Sequence, residues 1–259
     1  MEIDVQPVPY LITPSSPDIS AEGVYIADIT SFTPILEQRS RQRFLPASTA
    51  KIITALVALD VFKPDDIVTV KRVFAEGQTM DLAVGEKITV ENLLYGTLVH
   101  SANDAAYALA DAYGFDRFIE KMNKKTKELN MTNSRFRNPA GLDEFTQYTT
   151  PYDLALASRA LLENRLLKKI VSTKEIIIGD IEFKRFHTLS NVNKLLGEVQ
   201  GIGGLKTGFT QNAGENLVSF YLSSGKQFII VLMKSEDRFE DTKKVVTWIN
   251  TNVSYLSVQ

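Results

Sequence analysis

Cysteine is absent from the sequence. That excludes disulfides, thiolate metal sites, iron–sulfur clusters and a cysteine nucleophile together, while leaving the redox compartment open. A basic excess is missing as well: 29 Lys and Arg face 31 Asp and Glu, a formal charge of −2. Nothing here neutralises a phosphate backbone, so no nucleic-acid partner is expected. No run of about 18 uninterrupted apolar residues occurs, so no segment of this chain is expected to span a bilayer. The N-terminus, MEIDVQPVPYLITPSSPD, has four prolines and neither a basic n-region nor an apolar h-region, so it is not a signal peptide. Residues 1–20 read as a loosely ordered lead-in. Only two histidines are present, His100 and His187, and neither has metal-ligand spacing around it. Both read as ordinary polar residues, with no metal and no cofactor expected. No G-x-S-x-G elbow exists, which argues against a Ser-His-Asp triad.

What is present suits a globular protein. The chain has 259 residues, 44% of them apolar, enough for one sizeable core. Residues 21–259 read as a single domain with a helical lobe over about 63–165. Gly23–Thr30 (GVYIADIT) predicts a strand. Ser48–Phe62 predicts a helix apolar on nearly all sides, which belongs in the centre of a domain. Val90, Leu93, Leu94, Thr97 and Leu98 carry helical spacing behind Thr89 as N-cap. Asp104–Tyr113 and Phe115–Leu129 continue as helices. Thr150-Pro151-Tyr152-Asp153 opens another, running through Leu161. Glu175–Ile178 and Ile181–Phe186 read as short strands. Glu215–Leu222 and Gln227–Met233 read as a hairpin closed at Ser223-Ser224-Gly225-Lys226. Arg238–Val253 is a closing helix, and Trp248 belongs to the core. Lys121, Lys124, Lys125 and Lys127 read as a solvated helix face. The order predicts an α/β (α+β) architecture: a mostly antiparallel sheet completed from both chain ends, with a helical lobe inserted and a cleft between them.

Three short motifs carry chemistry. Ser48-Thr49-Ala50-Lys51 places a hydroxyl and an amine one helical turn apart. A serine needs a base within about 2.6–3.2 Å to become a nucleophile. Burial and nearby cations can lower a lysine pKa enough to serve. Ser101-Ala102-Asn103 lies between two predicted helices, where a hydroxyl could relay a proton and an amide could hold a carbonyl and position the lysine. Lys206-Thr207-Gly208 follows the glycine-rich Gly201–Gly204 on a strand, where a substrate backbone could approach closely. Lys206 and Thr207 would supply a charge and a hydroxyl for a carboxylate. Each motif alone also fits a bland role, as an N-cap or a glycine-rich turn. Their conjunction in this order is the set found in penicillin-interacting serine enzymes.

The sequence resembles the D-alanyl-D-alanine carboxypeptidases, the low-molecular-mass penicillin-binding proteins. The matching runs are Pro46–Leu59, Gly85–Asp111, Arg137–Leu162 and Gly201–Phe220, with a familiar tail over Lys234–Ile249. The resemblance implies a β-lactamase/transpeptidase-like fold, a five-stranded antiparallel sheet flanked by helices with an inserted all-helical lobe. It implies Ser48 as the nucleophile on a peptidoglycan stem peptide ending in D-Ala-D-Ala. Lys51 would be its general base, and Ser101 and Asn103 would assist. Lys206, Thr207 and Gly208 would hold the terminal carboxylate, with Arg238 nearby. Backbone N–H groups of Ser48 and Phe209 would form an oxyanion hole. β-Lactam antibiotics would acylate Ser48. The setting would be extracytoplasmic, the periplasm or the outer face of the bacterial cytoplasmic membrane, with the export signal outside this sequence. The small all-β domain and the C-terminal membrane helix of many members are not expected in these 259 residues. A DD-endopeptidase cutting cross-links, a β-lactamase and a non-catalytic wall-binding protein are the alternatives.

Overall fold

The structure is a computed structural model that describes residues 7–256. Its centre is a five-stranded antiparallel sheet in the order β3-β2-β10-β9-β8. These strands are Gly23–Asp28 (β2), Pro34–Gln38 (β3), Ile202–Thr210 (β8), Gly214–Ser223 (β9) and Lys226–Ser235 (β10). The middle strands are apolar at consecutive positions because helices cover both sheet faces. On β10, Ile229, Val231 and Met233 face one core and Phe228, Ile230 and Leu232 face the other. On β2, Tyr25 and Ala27 alternate with Val24 and Ile26 in the same way. This period of two is what assigns each residue to a side. The expected hairpin closes at Ser224 (φ 49°) and Gly225 (φ 76°), the left-handed pair that matches strand twist.

The two cores have different partners. Helix α7 (Arg238–Asn252) buries Val245, Val246, Trp248 and Ile249 against one face. The other face meets α5 (Pro151–Glu163) and the central helix α1 (Lys51–Val61), whose Ile52, Ile53, Ala55, Val57 and Ala58 are fully buried. Around α1 pack α2 (Val90–Leu98), α3 (Asn103–Tyr113) and α4 (Phe115–Glu128), and α6 (Arg165–Val171) packs beside α5. The predicted caps form: Thr89 accepts from Asn92 N, and Thr150 from Asp153 N ahead of Pro151. The inserted stretch is not wholly helical. It holds the two-stranded β4 (Ile67–Thr69) and β5 (Lys87–Thr89), and α5 lies on the sheet at β2 and β10.

Two local expectations are corrected. The strand placed at Ile181–Phe186 is instead a turn. Asp180 Oδ1 accepts from Lys184 N (2.8 Å) and Arg185 N (3.2 Å), and β7 (Phe186–Ser190) starts only afterwards, pairing with β6 (Glu175–Gly179). An aspartate that captures amides ahead of it makes a turn out of residues with strand propensity. The N-terminal stretch from residue 7 is tied down rather than loosely ordered; residues 1–6 lie outside the described residues. Strand β1 (Val8–Leu11) pairs with β11 (Val253–Leu256). Further on, Ser15 Oγ accepts from Trp248 Nε1 (3.2 Å). The buried Asp241 carboxylate accepts from Ser20 N (3.0 Å), Ser20 Oγ (2.7 Å), Ala21 N (3.0 Å) and Ser235 Oγ (2.6 Å). Long-range partners supply what the local Pro/Ser content withholds.

Asp241→Ala leaves the buried Ala21 N–H and Ser235 hydroxyl without that acceptor. We expect a loss of about 2–3 kcal/mol. Thermal denaturation would then show a midpoint lower by about 5–10 °C; an unchanged midpoint would mean that water replaces the carboxylate without cost.

Candidate active site

The three motifs converge because the turn leading into α1, the start of α3 and β8 come together. Ser48 does not sit in α1 itself. It lies in a short 3₁₀ turn, Ala47–Ala50, that leads into the helix. In a 3₁₀ turn residues i and i+3 eclipse, which stacks Ser48 on Lys51 more directly than an α-helix would. Lys51 is wholly buried, and its Nζ has three neighbours: Ser48 Oγ at 2.8 Å, Asn103 Oδ1 at 2.6 Å and the Ala140 carbonyl at 2.9 Å.

Two of those neighbours can only accept. A neutral lysine has two N–H bonds and one lone pair. With both protons given to Asn103 Oδ1 and Ala140 O, the lone pair is left facing the Ser48 hydroxyl. Burial pushes the Lys51 pKa down to about 7, against the opposing negative charge of Asp104. The amine is therefore substantially neutral at neutral pH.

Ser101 sits in the link between α2 and α3 with left-handed backbone (φ 60°), and its Oγ accepts from Lys206 Nζ at 2.8 Å. Lys206 is only 1% exposed, and its Nζ also donates to the Thr207 carbonyl. Its pKa lies well below the ordinary lysine value, through burial first and then through the positive charges of Lys51 and Arg238. The sequence places Lys206 on the substrate carboxylate. In the structure it stands behind Ser101, and the residues that line the cleft beside the KTG strand are Thr207, Gly208, Phe209, Thr210 and Arg238. Phe209 is 61% exposed.

Gly208 lets β8 approach the nucleophile's turn closely: a Cβ there would stand 3.0 Å from Ser48 N and 3.1 Å from Thr49 N, a tight fit against backbone. Arg238, at the first turn of α7, donates from a guanidinium N–H to the Gly208 carbonyl (2.8 Å). Its Nε is buried without a partner, and Glu215 Oε2 lies 3.9 Å away. Burial lowers its pKa. The cleft encloses about 310 Å³, and no carboxylate lines it among the described residues.

Sequence reasoning missed the third support of Lys51. Asn138 Oδ1 accepts from the backbone N–H of Ala140 (3.2 Å), Gly141 (2.7 Å) and Leu142 (3.0 Å). The resulting tight loop presents the Ala140 carbonyl to the lysine. The signal was the Asn138-Pro139-Ala140-Gly141 punctuation, a turn signature whose destination only the fold reveals.

The remaining candidates lie elsewhere. His187 is buried between the Met80 carbonyl and Glu86 Oε1, each at 2.7 Å, and His100 meets Gln78. Among the described residues no group of three or more His, Cys, Asp or Glu could hold a metal. Of the lysine run, Lys125 pairs with Asp60 (2.6 Å) and Glu128 (3.1 Å). No described helix is long and apolar enough to cross a membrane.

A comparison with protein families matches residues 11–237 to peptidase S11, D-alanyl-D-alanine carboxypeptidase. The chain belongs to that family. D-alanyl-D-alanine carboxypeptidase DacD of Salmonella typhimurium is 33% identical over 265 residues, covering 95% of this chain and 66% of its own length. DacD of Escherichia coli K12 is 32% identical, with 95% of this chain and 67% of its own covered. The chain thus spans about two thirds of the length of these curated relatives. The crystal structure of the Streptomyces K15 DD-transpeptidase superposes with a TM-score of 0.86 at 30% identity, covering 92% of this chain and 99% of that one. The penicillin-binding protein/transpeptidase-like fold expected from the sequence is the one observed.

Proposed function

We propose that this S11 family member is a serine D-Ala-D-Ala carboxypeptidase. The observation that carries the reading is the Lys51 amine, wholly buried, with two carbonyl oxygens as acceptors and the Ser48 hydroxyl 2.8 Å away. Lys51 takes the hydroxyl proton as Ser48 Oγ bonds to the carbonyl carbon between two D-alanines. The developing oxyanion is met by the backbone N–H groups of Ser48 and Phe209. The C–N bond breaks, and the leaving amine receives by way of the Ser101 hydroxyl, which lines the cleft, the proton that Lys51 took from Ser48, so that Lys51 is neutral again when water attacks. Free D-alanine departs. Water then attacks the Ser48 ester and releases the shortened stem peptide.

The terminal carboxylate is drawn by the positive charge of Arg238, and contacts Thr207 and the Arg238 guanidinium directly. Lys206 acts at one remove, through the hydrogen bond it gives Ser101. A β-lactam presents a strained amide and a carboxylate to the same groups. Its leaving amine stays tethered to the ring-opened acyl group and occupies the space that a departing D-alanine opens to water, so its ester is slow to hydrolyse. A stem peptide as substrate sets the enzyme outside the cytoplasm, where peptidoglycan lies.

Incubation with diacetyl-Lys-D-Ala-D-Ala should release free D-alanine, and mass spectrometry after penicillin addition should place a stable adduct on Ser48. No D-alanine and no adduct would refute the reading. Arg238→Ala should raise KM for peptides with a free terminal carboxylate by about tenfold to a hundredfold. Their amidated counterparts should barely respond; equal effects on both would remove Arg238 from carboxylate recognition.

A further inference from the structure

We propose that Asp104 is a positioning residue for this reaction: its buried carboxylate pins the 76–82 loop so that the loop aims the Asn103 amide oxygen at Lys51. The inference rests on Lys51 being the general base. It starts from an ambiguity. An asparagine amide has two ends, and rotated by half a turn it would present an NH₂ to Lys51 and could no longer hold the amine as an acceptor. One contact decides the orientation. Asn103 Nδ2 donates to the Glu76 carbonyl at 2.8 Å while Oδ1 faces Lys51 at 2.6 Å. Rotation would turn both contacts repulsive.

Glu76 lies between β4 and β5, in a stretch without helix or strand of its own. Something must fix it. Asp104, the residue after Asn103, accepts from Met80 N (3.0 Å) and Leu82 N (3.0 Å) and is 5% exposed. The same first turn of α3 therefore holds the loop along its length: Asn103 holds the Glu76 and Gln78 carbonyls (2.8 and 2.7 Å), and Asp104 holds the Met80 and Leu82 amides. Gly77, beside Gln78, has φ 73°, and a Cβ on it would stand 2.7 Å from Asn103 Nδ2. The loop backbone and the amide are in contact with no room for a side chain.

Charge adds to position. Of the acids near Lys51, Asp104 is the one whose negative charge opposes the effect of burial on the amine. The other charged or titratable groups about this cluster are Lys206 beside Lys51, His100 against Gln78, Asp81 within the loop against Thr79, and His187, which meets the Met80 carbonyl and is itself paired with Glu86. Asp104→Asn removes the charge and one acceptor oxygen. Two changes should follow, and neither is expected of a residue that merely fills space.

The test is the rate of penicillin acylation of the full chain, followed from about pH 5 to about pH 9 for the wild type, D104N, G77A and K51A. D104N should acylate at least about tenfold more slowly on the plateau, with its acid limb moved to lower pH because Lys51 releases its proton more easily. G77A, which disturbs the amide and leaves the charge in place, should lose the plateau rate while keeping the wild-type acid limb. D104N with the wild-type plateau or an unmoved limb overturns the proposal. If D104N does not fold, G77A decides: a wild-type plateau overturns it. K51A separates the two readings. Acylation by K51A at the wild-type rate sinks the general-base assignment, whereas a silent K51A beside an unaltered D104N sinks this inference alone.

Discussion

Lys51→Ala should lower the rate of Ser48 acylation by about three orders of magnitude. The protein should stay folded, since the buried amine sits at a site chosen for chemistry rather than stability. The effect is large because, among the described residues, the Lys51 amine is the side-chain partner the Ser48 hydroxyl has. Lys206, the other buried lysine, contacts Ser101 and Thr207. The pH dependence carries the same information. With its pKa lowered to about 7, Lys51 accepts a proton only above that region, so acylation by the wild type should rise through neutral pH and level off above it. Stability has a matching sign. Between about 7 and the ordinary lysine value the unfolded chain holds one more proton than the folded one, so the wild type should gain stability with rising pH across that window. K51A should lack this component. Stopped-flow acylation and denaturant titrations at several pH values check both. A K51A enzyme that labels at the wild-type rate, or a wild-type profile flat through neutral pH, would remove the lysine from its role.

Gly141→Ala should cripple the site from a position that bears no functional group. The residue has φ 83°, and a Cβ on it would fall 1.8 Å from the Ala47 carbonyl oxygen and 2.5 Å from its carbon. The obstacle is backbone, not the end of a flexible side chain, so the turn carrying Ser48 must move. A displacement of about 1 Å in a reacting geometry costs on the order of a hundredfold in rate. The strained backbone adds about 1–3 kcal/mol of lost stability. Gly225→Ala is the control, because Gly225 has φ 76° with nothing within 4 Å of the added carbon. It should cost about 1 kcal/mol and leave acylation untouched. Thermal denaturation and labelling rates on the two variants distinguish a general penalty for left-handed alanine from the specific clash beneath the nucleophile.

Local patterns carried much of the architecture. Apolar periodicity and capping residues placed α2 and α5, and the Ser224-Gly225 pair placed the hairpin of β9 and β10. Patterns failed where distant partners decide. Strands β1 and β11 are short and half exposed, and each exists because the other end of the chain lies beside it. Strand β3 forms on the edge of β2. The alternating Ile181–Phe186 stretch gave way to a turn before β7 because one aspartate captured the amides that follow it.

For the site, residue type and order named Ser48, Lys51, Ser101, Asn103 and the Lys206–Gly208 strand. Chemistry restricts which side chains can serve as nucleophile, base and carboxylate binder, and that restriction is written in one dimension. Their division of labour is not. That Lys206 stands behind Ser101, that a backbone carbonyl at Ala140 completes the hold on Lys51, and that Asp104 and Gly77 lock an amide rotamer all depend on atoms brought together from segments far apart in the chain. Burial and hydrogen-bond geometry are properties of the packed molecule, so they set how strongly Lys51 binds its proton, and only folding supplies them.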